Sequence, residues 1–173
     1  SDNGTKVIRL SVADDTVREL LASLLLVDLG MTRISSKILA RQIASYRKES
    51  PKVMEALSKI KEITRKMVVR VLTGDVKELG LLLSEEWNQK KKLDERISNP
   101  VIEKFHAGML KHGAIGGKLL GAGEGGHALF ISDLSKRKDL LDYVAACNFK
   151  HVPFKFDSQG VVAWQLKDGE VLT

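Results

Sequence analysis

With 173 residues, 43% of them hydrophobic and 29% charged, the chain has the composition of one globular domain with a full core, which excludes disordered and fibrous classes. Its longest apolar runs, Leu24–Val27 and Leu79–Leu83, are too short to cross a bilayer, and no signal-peptide pattern opens it; the one cysteine, Cys147, cannot pair internally, which fits a reducing, cytoplasmic setting. A net charge of +6 favours anionic partners: nucleic acid, acidic membrane or a phosphorylated small molecule.

Taken in chain order, the hydrophobic pattern predicts strands at Lys6–Leu10 and Ser23–Asp28, with a helical turn at Thr16–Leu21 between them. Four helices follow. Ser35 or Ser36 can cap the first, which runs to about Tyr46. Ser50-Pro51 opens a long second one, whose expected buried stripe is Val53, Leu57, Ile60, Ile63, Met67, Val68 and Val71; Thr73-Gly-Asp75 breaks it. The third carries Leu79, Leu82, Leu83, Trp87 and Lys90, with Trp87 expected in the core beside a solvated lysine face. Asn99-Pro100 starts the fourth and Gly113 ends it. Short strands at Gly117–Leu120 and His127–Ser132 flank a glycine-rich loop, and Asp133–Ala146 reads as a helix, with Cys147 a core thiol beyond it. Val152–Phe156 and Val161–Leu166 read as a closing hairpin around Ser158-Gln-Gly160. The sum is an α+β domain: a small, mostly antiparallel sheet covered by helices.

The glycine loop, Gly121-Ala-Gly-Glu-Gly-Gly126, spells G-x-G-x-x-G. A dinucleotide loop must leave a strand and enter a helix, yet here a strand-like run, His127–Ser132, follows it. A Walker loop needs Lys-Ser/Thr after its last glycine, and none is present. Two readings stay open. The glycines either let two elements pack closely at a corner, or leave backbone N–H groups bare for a phosphate. Thr32, Arg33 and Ser36 lie between a strand end and a helix start, where they serve as turn and cap residues or meet an anionic sugar phosphate. His106 and His112 stand apart from any metal-ligand spacing.

The stretch GGKLLGAGEGGHALF closely resembles the third, C-terminal motif of the GHMP kinases, K-L-[ST]-G-A-G-x-G-G. Leu24–Leu39 is similar to the strand, turn and helix of the sugar-kinase branch. Leu79–Phe105 and His151–Val162 resemble segments of D-glycero-D-manno-heptose 7-phosphate kinases and their fucokinase relatives. The resemblance implies a ferredoxin-like, four-stranded C-terminal domain spanning residues 1–173. It implies an enzyme that uses ATP with Mg²⁺ to phosphorylate a sugar or sugar phosphate. The ATP loop, magnesium ligands and catalytic Asp of the family belong to an N-terminal domain not found in this sequence, so that domain is an expected partner and no catalytic residue is expected here. Ser1, in place of an initiator Met, fits a piece of a longer chain that is inactive alone. By the same resemblance, Gly121, Ala122, Gly123, Glu124, Gly125 and Gly126 close on the phosphates, with Lys118 nearby. Glu124, His127 and Asp28 depart from the commonest pattern; Glu124 is expected to point away from the phosphates and His127 to be a packed strand residue. Two other readings compete. One is a nucleic-acid module, against which two Trp, two Tyr and the lack of a basic arm argue; the other is a stand-alone binding module for a sugar phosphate or partner protein.

Overall fold

A computed structural model describes residues 7–31, 40–41, 43–44, 46–163, 165–167 and 170–172. Helix α1 (Asp14–Ser23) carries two acidic residues in its first turn, a favourable placement at the positive end of the helix dipole, and runs directly into strand β1 (Leu24–Asp28). The strand expected at Lys6–Leu10 is absent over residues 7–10. Val7 and Ile8 stand exposed there, with no neighbouring strand to complete an apolar alternation. Ala40, Arg41, Ile43, Ala44, Tyr46 and Arg47 are helical, as expected; the start of that helix at Ser35 or Ser36 lies outside the described residues.

The predicted punctuation holds through the middle of the chain. Helix α2 (Pro51–Thr73) starts on its proline and stops at Gly74, whose φ of 73° is the left-handed conformation that ends helices. Its fully buried residues are Val53, Ala56 and Ile63, while Val68, expected in the stripe, faces outward. The Asp75 carboxylate caps helix α3 (Val76–Lys90), and the Asn99 side chain accepts the Ile102 N–H at 3.0 Å to cap helix α4 (Pro100–Lys111). A 3₁₀ turn at Glu95–Ile97 lies between them.

Strands β2 (Ala114–Leu119) and β3 (His127–Ser132) flank the glycine loop, β2 beginning three residues earlier than expected. Helix α5 (Arg137–Ala146) is entered through a 3₁₀ turn that Asp133 caps. Strand β4 (Lys150–Val152) then joins the sheet, giving the order β2-β3-β1-β4 with every pair antiparallel. This is the ferredoxin-like arrangement. The closing hairpin differs from the expectation: β5 (Gln165–Lys167) pairs with β6 (Glu170–Leu172), and 153–163 have no regular structure. Pro153 has no N–H to give a ladder and follows β4 directly, and Val161 and Val162 find no buried face.

Both sheet faces are covered. On one, α4 and α5 bury Phe105, Met109, Leu140 and Val144 against Leu25, Val27 and Phe130. On the other, Leu20 of α1 and Val76 of α3 pack with Leu24 and Ile131. Helix α3 lies along the β2 edge and contributes to both clusters through Val76 and Trp87. Its approach depends on Gly116, where an added Cβ would sit 1.9 Å from the Gly80 carbonyl oxygen. The Gly117 N–H, one residue on, donates to Ser84 Oγ at 3.0 Å.

The Gly116→Ala variant is therefore expected to lose about 1–3 kcal/mol by forcing helix and strand apart, against about 1 kcal/mol for the cap variant Asn99→Ala. Urea unfolding of both checks the order; an unchanged midpoint for Gly116→Ala would remove the close approach from the account.

Candidate functional site

Strand β2 runs off its end at Leu119 into the loop, and the Leu120 N–H donates to the His127 carbonyl at 2.8 Å to close the loop's base. Asp28 at the end of β1 is the cross-strand partner of His127 at the start of β3. Between loop and strand ends lies a cleft of about 660 Å³, lined by the glycines together with Leu26, Met31, Asp28 and His127. That volume falls within the range of small-molecule sites.

The loop backbone is held in left-handed conformations: φ is 69° at Gly121, 118° at Gly123, 62° at Glu124 and 83° at Gly126. Glu124 is the one residue here with a Cβ to crowd. Its N–H is fixed to the Ile97 carbonyl at 2.8 Å, and the Gly126 N–H to the Met31 carbonyl at 3.0 Å. A Cβ on Gly123 would come within 2.8 Å of Ile97 Cα, and one on Gly125 within 2.7 Å of Met31 Cβ. Close packing thus explains part of the glycine content. It does not explain Gly121 and Gly126, where a Cβ would meet nothing within 4 Å. Among the described residues, the N–H groups of Gly121, Ala122, Gly123 and Gly125 have no acceptor, a set of bare donors of the kind that holds an anion.

Two lysines lie behind the loop. Lys118 contacts the nearly buried Glu86 carboxylate at 2.5 Å as an ion pair and is not a lining residue of the cleft. Lys90 reaches across from the end of α3 and donates to the carbonyls of Gly121, at 2.6 Å, and Leu119, at 3.3 Å. Burial pushes its pKa below the ordinary lysine value and the Lys118 charge adds to this, with Glu86 opposing. The expected solvated lysine face is therefore corrected: Lys90 ties the loop down, and Lys91 pairs with Glu103 at 2.8 Å while lying over the Trp87 ring. Trp87 itself is fully buried, as expected. The sequence did hold a signal for Lys90, since it lies one turn from Trp87 on the same helix face.

Glu124 is not a lining residue of the cleft. His127 is exposed and faces the cleft, a correction to the packed strand residue expected: it is the first residue of β3, and among the described residues no helix covers it. The Asp28 carboxylate accepts the Gly30 N–H at 2.9 Å. Thr32, Arg33 and Ser36 lie outside the described residues. Behind β2, His106 Nε2 bonds the Gly117 carbonyl at 2.8 Å, and burial holds its pKa below the usual histidine value against the pull of that bond and of Glu103. Cys147 is half-buried at the core's edge. Among the described residues, no group of three or more His, Cys, Asp or Glu could hold a metal ion, and no helix is long and apolar enough to cross a membrane.

The family described as GHMP kinases C terminal matches residues 65–151, half of the chain. D-glycero-alpha-D-manno-heptose 7-phosphate kinase of Campylobacter jejuni is 30% identical over 115 residues, 66% of this chain and 34% of that protein. The bifunctional fucokinase/GDP-fucose pyrophosphorylase of Arabidopsis thaliana is 26% identical over 136 residues, 78% of this chain and 13% of its own length. The chain thus spans about a third and about an eighth of these curated relatives. In fold it is similar to the mevalonate kinase of L. major solved with R-mevalonate, with a TM-score of 0.66 at 20% identity over 74% of this chain and 40% of that one.

Lys90→Met should free the loop. Amide exchange at Gly121–Gly126 is expected to quicken about tenfold or more, the worth of one charge-assisted hydrogen bond, while β3 amides keep their protection. The pH dependence of stability has a separate source. Unfolded histidine titrates near 6.5 and folded His106 lower, so the unfolded state binds more protons between the two values and stability falls as pH drops through that window. His106→Gln should flatten urea-derived stability as pH falls below about 6.5; part of the slope that remains there belongs to His151, which burial and Arg137 also shift down. The Glu103 contribution is lost only below its unfolded value of 4.5, because Lys91 and Ser98 outweigh burial and hold its pKa low.

Proposed function

The chain belongs to the GHMP kinases through their C-terminal domain, and from that premise we propose that it is the phosphate-closing part of an ATP-dependent sugar kinase. The observation that carries this reading is the tethered glycine corner, with four bare N–H groups on the wall of an open cleft. Phosphoryl transfer asks a protein for positioning and charge stabilisation more than for covalent chemistry. Rigid backbone donors meet that demand without reorganising at the moment of reaction.

In this reading ATP, with Mg²⁺, supplies the γ-phosphoryl group. Gly121, Ala122, Gly123 and Gly125 direct their N–H groups at phosphate oxygens, and Gly126 lets the chain turn without a side chain in the way. Glu124, bonded through its N–H to Ile97, keeps its carboxylate off the anion, and Lys118 and Lys90 add a positive field from behind. Thr32, Arg33 and Ser36 approach the acceptor. Magnesium ligands and the catalytic base come from the N-terminal domain of the same protein, so this chain alone turns nothing over. The acceptor is a sugar or sugar phosphate resembling heptose 7-phosphate, a choice supported by the two curated relatives, both named as sugar kinases.

The test is ADP release by the full-length protein, with Mg-ATP and D-glycero-D-manno-heptose 7-phosphate or L-fucose as acceptor. Gly121→Ala sets a Cβ in the open space beside the bare N–H groups and strains the loop that aims them; kcat should fall about a hundredfold, as when a preorganised donor is misplaced, at a stability cost of about 1–2 kcal/mol for its left-handed conformation. A full-length protein that phosphorylates no such acceptor sinks the reading. Sugar-phosphate binding with no ADP release on adding Mg-ATP would instead favour a non-catalytic module.

A further inference from the structure

The polar groups at the strand end of the cleft have no part in holding phosphate. We propose that Asp28 and His127 form a hydroxyl-reading pair that seats the neutral, vicinally hydroxylated part of the acceptor and turns an acid-bearing end away. This rests on the reading of the cleft as the site where acceptor and phosphate meet.

Asp28 and His127 are direct partners in the β1–β3 register, so their side chains leave the same face of the sheet. Along that face the strands are apolar where the helices cover them, through Leu24, Leu129 and Ile131, and Leu26 carries the apolar run to the edge of the cleft. The pattern breaks to polar only at the cleft. Lys150 of β4, opposite Asp28, extends the break into a row of cation, carboxylate and imidazole. Yet neither neighbour forms an ion pair with Asp28. One carboxylate oxygen is fixed by the Gly30 N–H at 2.9 Å, which orients the group, and the other has no donor among the described residues. Both ring nitrogens of His127 are likewise without a partner.

These groups have complementary capacities. A carboxylate only accepts, whereas a neutral imidazole accepts at one nitrogen and donates at the other. Set about 5 Å apart at their Cβ atoms, as direct cross-strand partners are, they match two neighbouring hydroxyls, one donating to Asp28 and one exchanging a hydrogen bond with His127. The same carboxylate repels an anion, while the bare N–H groups of the loop lining the same cleft attract one. The cleft is therefore polarised: its loop end suits the phosphate in transfer, and its strand end suits the neutral hydroxyls of the acceptor. A hydroxy acid would have to set its carboxylate against Asp28.

The full chain, isotopically labelled, is titrated in parallel with D-glycero-D-manno-heptose 7-phosphate, R-mevalonate and inorganic pyrophosphate. The sugar phosphate should move the His127 imidazole and Asp28 amide resonances, and mevalonate at the same concentration should not. Asp28→Asn should weaken the sugar phosphate about tenfold, the loss of a charge-assisted bond, and let mevalonate reach His127. The Asn side chain still accepts the Gly30 N–H, so an otherwise unchanged amide spectrum separates this loss from misfolding. His127→Gln, which keeps a donor and an acceptor, should retain more of the binding than His127→Leu. Equal movement of His127 by both ligands, or none with the sugar phosphate, overturns the proposal. Pyrophosphate reports on the loop independently: if it leaves Gly121–Gly125 unmoved while the sugar phosphate still moves His127, the phosphate reading fails and the hydroxyl-reading pair stands.

Discussion

The contact between Gly80 and Gly116 is the constraint on which the rest of the domain depends. With a Cβ on Gly116 excluded by the Gly80 carbonyl, helix α3 can lie directly on the edge strand β2. That proximity sends Trp87 into the core and brings Lys90 to the end of β2, where it meets two carbonyls at the base of the loop. Fold and cleft are therefore one argument. The glycines before the loop place the helix, and the helix places the group that holds the loop.

Where the chain is punctuated by local chemistry, the fold was legible from the sequence. Pro51, Gly74, Asp75, Asn99-Pro100 and Gly113 act through their own dihedrals and caps, and they set both ends of α2 and α4 and the start of α3. His127–Ser132 was legible because it is a short apolar run bounded by a glycine-rich turn. Failures came where an apolar run needed a partner that the sequence does not name. Val7–Leu10 has no strand beside it, and Val161–Val162 no buried face.

The site divides along the same line. Its glycines announce themselves: packing accounts for Gly116, Gly123 and Gly125, whereas at Gly121 and Gly126 a Cβ would meet nothing within 4 Å. Most of its tethers could not be read off, because Ile97 and Met31 lie more than two dozen residues from the loop positions they bind, and the spacing of Lys90 from Trp87 gives its helix face but not the loop it reaches. The position of Lys118 was equally hidden, since a lysine on a strand gives no hint that a nearly buried carboxylate awaits it on a helix. Nor does the overall charge of +6 locate the cleft, because the basic residues are spread along the helices, as at Lys59 and Lys66, and not gathered around it.

The bond from Glu124 to Ile97 has an evolutionary consequence. Ile97 belongs to the short 3₁₀ turn between α3 and α4 and does not itself line the cleft. Connections of this kind tolerate insertions and substitutions more readily than the elements they join. A lineage could therefore retune the pitch of the glycine corner by altering the turn that suspends it, leaving every ligand-facing residue untouched. Descendants could differ in substrate preference while reading alike at the motif itself, and motif comparison alone would miss the change.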